Sequence, residues 1–179
     1  LRRFPVDTLK VDRSFVDGME KPGSQEAAIV TAAIAMAKSL GLKTAERVAI
    51  VGENRPEWAY TDLATLCSRA TVVTIYPSLP SNQILYILKD SGARIVVASN
   101  QVQAEKVLAV KADAPDLQHV VVMDDAAVMG TQTFSSVSEV GRRALALDKD
   151  LIRRRAATVR PDDLATLIYT SGTTGDPKG

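Results

Sequence analysis

From about Arg47 onward, the sequence alternates short apolar runs rich in β-branched residues with stretches of helical periodicity, and no other feature narrows the possible folds as much. The runs 47–51, 70–76, 94–98, 119–123 and 164–170 read as strands. Between them, 56–69, 81–91, 101–112 and 135–146 read as helices, with Pro56 in the first turn of one and Ser81 capping another. Strands that are apolar throughout must be covered on both faces, and a helix between consecutive strands makes them parallel neighbours. The expected class is therefore α/β, a mostly parallel sheet with flanking helices. The charged stretch 148–163, with Arg153-Arg154-Arg155, reads as a solvated helix or connector.

Upstream, Leu9-Lys10-Val11 reads as a short strand and Lys21-Pro22-Gly23-Ser24 as a turn. Ser24 is placed to cap a helix carrying Ile29, Ala33, Met36, Ala37 and Leu40, with Gly41 as its C-terminal glycine. The longest apolar run, 27–37, is well short of the roughly 20 residues that span a bilayer. A net charge of +1 and 4% aromatic residues argue against a nucleic-acid partner, which needs concentrated positive charge or stacking platforms. The single Cys67 excludes an internal disulfide and suits a reducing, cytoplasmic setting. The opening without Met and the close on Lys178-Gly179 read as cuts from something longer.

The strongest chemical signal is Tyr169-Thr170-Ser171-Gly172-Thr173-Thr174-Gly175-Asp176-Pro177-Lys178-Gly179, fed directly by the last strand. Gly172, Gly175 and Gly179 allow close backbone approach to a ligand. Thr170, Ser171, Thr173 and Thr174 carry hydroxyls that can donate to phosphate oxygens, and the backbone N–H groups of such a loop can form an anion nest. Lys178 adds a point charge. A Walker A loop ends Gly-Lys-Ser/Thr, whereas here Pro177 precedes the lysine and Gly179 follows it.

This string resembles the phosphate-loop signature of the AMP-forming adenylating superfamily. The segment Arg47-Val48-Ala49-Ile50-Val51-Gly52-Glu53-Asn54-Arg55-Pro56-Glu57-Trp58 is similar to an early strand–helix segment of its long-chain fatty acyl-CoA synthetases. Ile75-Tyr76-Pro77-Ser78-Leu79-Pro80, Gln83 to Leu88 with Asp90-Ser91, and Arg94-Ile95-Val96 extend the likeness in order and spacing. The resemblance implies activation of a fatty acid by ATP through an acyl-adenylate, then transfer to coenzyme A. It implies that Thr170, Ser171, Gly172, Thr173, Thr174, Gly175 and Lys178 bind the nucleotide and that Thr170 supplies a single Mg ligand. The expected substrates are thus ATP, a fatty acid and coenzyme A, with no nucleic acid, no transmembrane segment and room for peripheral membrane contact in a longer parent. The family's adenine and ribose motifs, second metal ligand, most of its acyl tunnel and the C-terminal catalytic lysine have no counterpart in this sequence. The chain by itself is expected to be inactive.

Residues 1–44 resemble something else. Leu1 to Val16, continuing to Leu40-Gly41-Leu42-Lys43-Thr44, is similar to a late segment of the EAL domain, the barrel phosphodiesterase of cyclic di-GMP. In that family the lysine matching Lys10 lies at the active site. The pattern then fails at Ala45-Glu46-Arg47-Val48-Ala49, and the metal-binding acids are missing, so Lys10 and Asp12 read as remnants. The expected organisation is an EAL-like strand and helix (1–44) followed by an adenylating N-terminal fragment (45–179). The competing functional readings are a remnant of a cyclic di-GMP signalling protein and a non-catalytic chimeric chain that at most binds nucleotide.

Four other features invite chemistry and have plainer readings. Cys67 sits among Leu63, Ala64 and Leu66 as a small hydrophobe. His119 opens a strand with no partner at ligand spacing, and Asp124-Asp125 fits a strand-end turn. Trp58 and Tyr60 read as core anchors.

Overall fold

A computed structural model describes residues 40–126, 128–148, 150, 154, 157–170 and 178–179. The expected strand 9–11, Lys10 and residues 24–39 of the helix expected from Ser24 to Leu40 lie outside the described residues, as do Ser171 to Pro177; Leu40 itself is a buried turn residue. The described elements run β1 (Arg47–Val51), α1 (Pro56–Cys67), β2 (Thr71–Ile75), α2 (Ser81–Ser91), β3 (Ile95–Ala98), α3 (Gln101–Leu108), a 3-10 turn (Lys111–Asp113), β4 (His119–Val122), β5 (Gln132–Thr133), α4 (Phe134–Leu147) and β6 (Thr166–Ile168). The strands form one sheet in the order β5-β4-β3-β1-β2-β6, and every pairing among them is parallel.

The period-2 geometry of the strands divides the core in two. Val48, Ile50, Val72, Ile95, Val97 and Val121 point to one face, where Trp58, Tyr60 and Leu66 of α1 and Phe134 and Val137 of α4 cover them. Ala49, Val51, Val73, Ile75, Val96 and Val120 point to the other, against Ile84, Ile87 and Leu88 of α2 and Val107 of α3. The anchoring expected of Trp58 and Tyr60 is present, both being partly buried against the first cluster. Cys67 is half-buried at the end of α1, where burial pushes its thiol above the usual range and away from nucleophilic reactivity.

Several boundaries differ from the sequence reading, each for a local reason. Ser81 is the first residue of α2 and not its cap; Pro80 holds the capping position with extended backbone, and no side chain caps the helix. The helix read over 101–112 stops at Leu108, where a bond from the Val110 N–H to the Val107 carbonyl (3.1 Å) tightens the chain toward the 3-10 turn. Asn100 caps α3 by accepting from the Gln103 N–H at 3.0 Å. The two-residue β5, Gln132–Thr133, carries no apolar pattern and has no counterpart in the sequence reading. The last strand narrows from 164–170 to Thr166–Ile168, with Thr170 in a separate bridge.

Candidate functional site: the carboxyl edge and the loop stem

All loops that follow the parallel strands emerge at one edge of the sheet, the carboxyl edge, where open α/β sheets bind their ligands. The usual place is the crevice between neighbouring strands whose connections leave in opposite directions. Here those strands are β1 and β3, and the chain fills their crevice with its own groups. Gly52 lies so close to Ser99 that a Cβ at position 52 would collide with the serine side chain. Ser99 Oγ donates to Glu53 Oε2 at 2.7 Å, and this bond is the first reason that the Glu53 carboxyl is held below its ordinary range. The Arg55 guanidinium donates to Glu57 Oε2 (2.7 Å), Asp124 Oδ1 (2.7 Å) and the Ser99 carbonyl (2.8 Å). Those carboxylates raise the Arg55 pKa further, so one fixed cation ties together the loops after β1, β3 and β4. Asp124, read in the sequence as part of a strand-end turn, lies in a bend after β4 and belongs to this network.

Open space lies on the other side of β1. A cleft of about 400 Å³ is walled by the loop after β1 (Gly52 to Asn54), Trp58, Thr74 to Pro77 and Ile168. Thr74 and Ile168 face each other across the β2–β6 pairing. Lys106 of α3 donates to the Pro77 carbonyl at 2.7 Å and holds the rim formed by the loop after β2.

The string singled out in the sequence begins beside this cleft, at the end of β6. Thr170 and Lys178 form an antiparallel bridge: the Thr170 N–H donates to the Lys178 carbonyl (3.1 Å) and the Lys178 N–H to the Thr170 carbonyl (3.2 Å). The two ends of the loop are therefore brought together as a stem, and both side chains are exposed. Ser171, Gly172, Thr173, Thr174 and Gly175 belong to the part outside the described residues. Below the stem, Tyr169 is buried against the second core cluster, and its hydroxyl donates to Asp90 of α2 at 2.6 Å. Burial first, and the Asp90 carboxylate next, push the Tyr169 phenol well above its ordinary pKa. Gly179 lies on the Tyr169 ring, where a Cβ would stand 2.8 Å from the ring carbon bearing the hydroxyl.

His119 opens β4, with its pKa lowered by burial and by Lys111 and Arg94. Among the described residues no three His, Cys, Asp or Glu side chains gather as a metal site. No helix among them is long and apolar enough to cross a membrane. Sequence reasoning assigned no role to Asp90, Arg55 or Ser99. The contacts of these residues span 79, 69 and 46 positions, and no local pattern signals partners that distant.

The fold is thus a parallel α/β sheet whose carboxyl edge carries the Thr170–Lys178 stem, and comparison with known sequences gives the family. The family described as AMP-binding enzyme matches residues 26–179, and the chain belongs to it. The chain is similar to the long-chain-fatty-acid–CoA ligase FadD15 of Mycobacterium bovis, with 36% identity over 141 residues, covering 79% of this chain and 22% of that protein. It is also similar to the long-chain-fatty-acid–CoA ligase ACSBG1 of Rattus norvegicus, with 33% identity over 143 residues, covering 78% of this chain and 19% of that protein. The chain thus spans about a fifth of the length of these relatives. Among solved structures, the anthranilate CoA ligase AuaEII in complex with anthranoyl-AMP matches its fold with a TM-score of 0.70 at 24% identity, over 86% of this chain and 28% of that one. The N-terminal domain of FACL13 from Mycobacterium tuberculosis matches with a TM-score of 0.62 at 24% identity, over 85% of this chain and 34% of that one.

Proposed function

We propose that this chain forms the front part of an ATP-dependent, AMP-forming acid–CoA ligase and that residues 170–178 are its triphosphate grip. The observation that carries this reading is the Thr170–Lys178 stem, which closes a Gly/Thr-rich loop at the carboxyl edge beside an open cleft. The names of the similar ligases support a fatty acid as the acid substrate.

In the reaction, a fatty carboxylate oxygen attacks the α-phosphorus of ATP; the bond to the β-phosphate bridging oxygen breaks, giving acyl-adenylate and pyrophosphate. The sulfur of coenzyme A then attacks the acyl carbonyl and AMP leaves. The chain's contribution is to the first step. Thr170, Ser171, Thr173 and Thr174 donate hydroxyl hydrogen bonds to the phosphates, Gly172 and Gly175 let backbone N–H groups approach, and the Lys178 ammonium balances the charge that builds on the departing pyrophosphate. Holding that leaving group in line with the attacking carboxylate is a gain from orientation. Mg²⁺ is bound largely by phosphate and water oxygens, so the single exposed Thr170 hydroxyl fits as its one protein ligand in this chain. When bound, the ion neutralises phosphate charge. The setting proposed is the cytoplasm, in keeping with one unpaired half-buried Cys67.

Calorimetric titration of the chain with ATP tests the grip. Lys178→Ala is expected to weaken ATP about tenfold, the worth of one charge-assisted hydrogen bond; equal affinity in the two proteins would remove the loop from the site. Pyrophosphate exchange by the chain alone should not exceed the Lys178→Ala level, because the remaining machinery of the family is not in this sequence.

We also infer that residues 1–44 are an EAL-derived segment joined to a ligase segment at 45–179. The AMP-binding match begins at residue 26, so residues 26–44 carry both likenesses. A long DNA read across the codons for Val30 to Trp58 decides between a continuous fusion and two separate genes.

A further inference from the structure

Directly beneath the loop stem, three observations converge on one side chain. Tyr169 immediately precedes Thr170, and its ring is 5% exposed, packed with Ile84, Ile87 and Leu88 of α2. Its hydroxyl reaches Asp90, in the last turn of the same helix, at 2.6 Å. On the other strand of the stem, Gly179 follows Lys178 and rests on the ring, with room for no side chain: an added Cβ would stand 2.8–3.0 Å from three ring atoms. The entry and the exit of the loop therefore both bear on Tyr169, and Tyr169 is tied to α2.

The geometry points to the Tyr169–Asp90 pair as a positioning device that fixes the stem of the phosphate grip against α2, with Gly179 required so that the exit strand can lie on the ring. The proposal rests on the reading of 170–178 as the triphosphate grip. Tyr169 and Asp90 touch no phosphate in this scheme. They set where the Thr170 hydroxyl and the Lys178 ammonium stand when ATP arrives. A loop rich in Gly and Thr is costly to order, because every backbone residue it fixes on binding loses conformational entropy. A stem held in advance removes part of that cost from the binding step.

The test compares the wild-type chain with Tyr169→Phe, Asp90→Asn, the double variant and Gly179→Ala. Phe retains the buried ring, and Asp90 is exposed, so the fold survives the first two changes. One readout is amide hydrogen exchange of the peptide covering the stem. The other is calorimetric affinity for ATP and, separately, for inorganic tripolyphosphate, which offers the loop its phosphates without the nucleoside. Tyr169→Phe and Asp90→Asn are each expected to speed stem exchange and weaken ATP and tripolyphosphate alike, roughly 3- to 10-fold, the range of one lost hydrogen bond. The double variant should be no worse than either single one, because both remove the same bond. Gly179→Ala should speed stem exchange as well. Unchanged stem exchange in both single variants overturns the clamp whatever ATP does, and weakened ATP with unchanged tripolyphosphate affinity overturns a role specific to the grip. If the wild-type chain binds no ATP yet stem exchange rises in the variants, the clamp stands and it is the phosphate reading of this chain that fails.

Discussion

β1 and β6 are written in the same apolar vocabulary, yet they live in different environments. In β1, Ala49, Ile50 and Val51 are fully buried, with α1 and α4 above and α2 and α3 below. In β6, only the side toward α2 is packed: Leu167 and Tyr169 join the second core cluster, while Ile168 on the opposite side is 54% exposed and Leu164 just before the strand 58%. The difference follows from position in the sheet. β1 lies between β3 and β2, whereas β6 is paired on one side alone among the described strands. The interior strands carry stability. The half-open strand leads into the Thr170–Lys178 stem.

The sharpest test of that contrast is to remove the same side chain from both places. Ile50→Ala should cost about 3 kcal/mol, the loss of a fully buried isoleucine, seen as a lower urea midpoint at unchanged m-value. Gly52→Ala comes next, at ~2 kcal/mol, because its new methyl meets Ser99 and must push apart the loops after β1 and β3. Ile168→Ala should cost only about 0.5 kcal/mol. If it cost as much as Ile50→Ala, β6 would be covered in solution and the contrast would fail.

The smallest effect concerns how the open side is tied down. Asp163, just ahead of β6, accepts two bonds of 2.8 Å from the Arg69 guanidinium beyond α1. Arg69 first, and the Arg160 N–H next, hold the Asp163 carboxyl down to about 2. A carboxylate depressed on folding stabilises the protein above its unfolded pKa of about 3.9, and the contribution disappears as pH falls toward the folded value. The difference in urea midpoint between wild type and Asp163→Asn should thus be constant above about pH 5 and shrink steadily toward about pH 2. A gap that persists at the acid end would mean that Arg69 anchors the segment without help from the charge.

Legibility in the sequence followed the range of the interactions involved. The bounds of β1 and α2 emerged as read, because a β-branched run and a helix closed by a left-handed Gly92 are set by neighbours in the chain. The end of α3 was misjudged because α and 3-10 turns share almost the same periodicity. β5 was missed because two polar residues have no period to read. At the site, the string from Tyr169 to Gly179 was visible as a contiguous motif, and the structure adds that Thr170 and Lys178 close on each other. Asp90 beneath Tyr169, and Arg55 linking Ser99 and Asp124, could not be seen, since each depends on strands and helices distant in sequence coming side by side.

By itself the sequence determined that this chain makes a parallel α/β sheet and made the string from Tyr169 to Gly179 stand out, because β-branching, helical spacing and glycine placement act over a few residues. Only the tertiary structure decided the order β5-β4-β3-β1-β2-β6, and with it that the β1–β3 crevice is filled while the cleft opens between α1, β2 and β6. Local periodicity is the same for every order of the strands. Which order forms depends on how the two apolar faces of the whole sheet are buried at once.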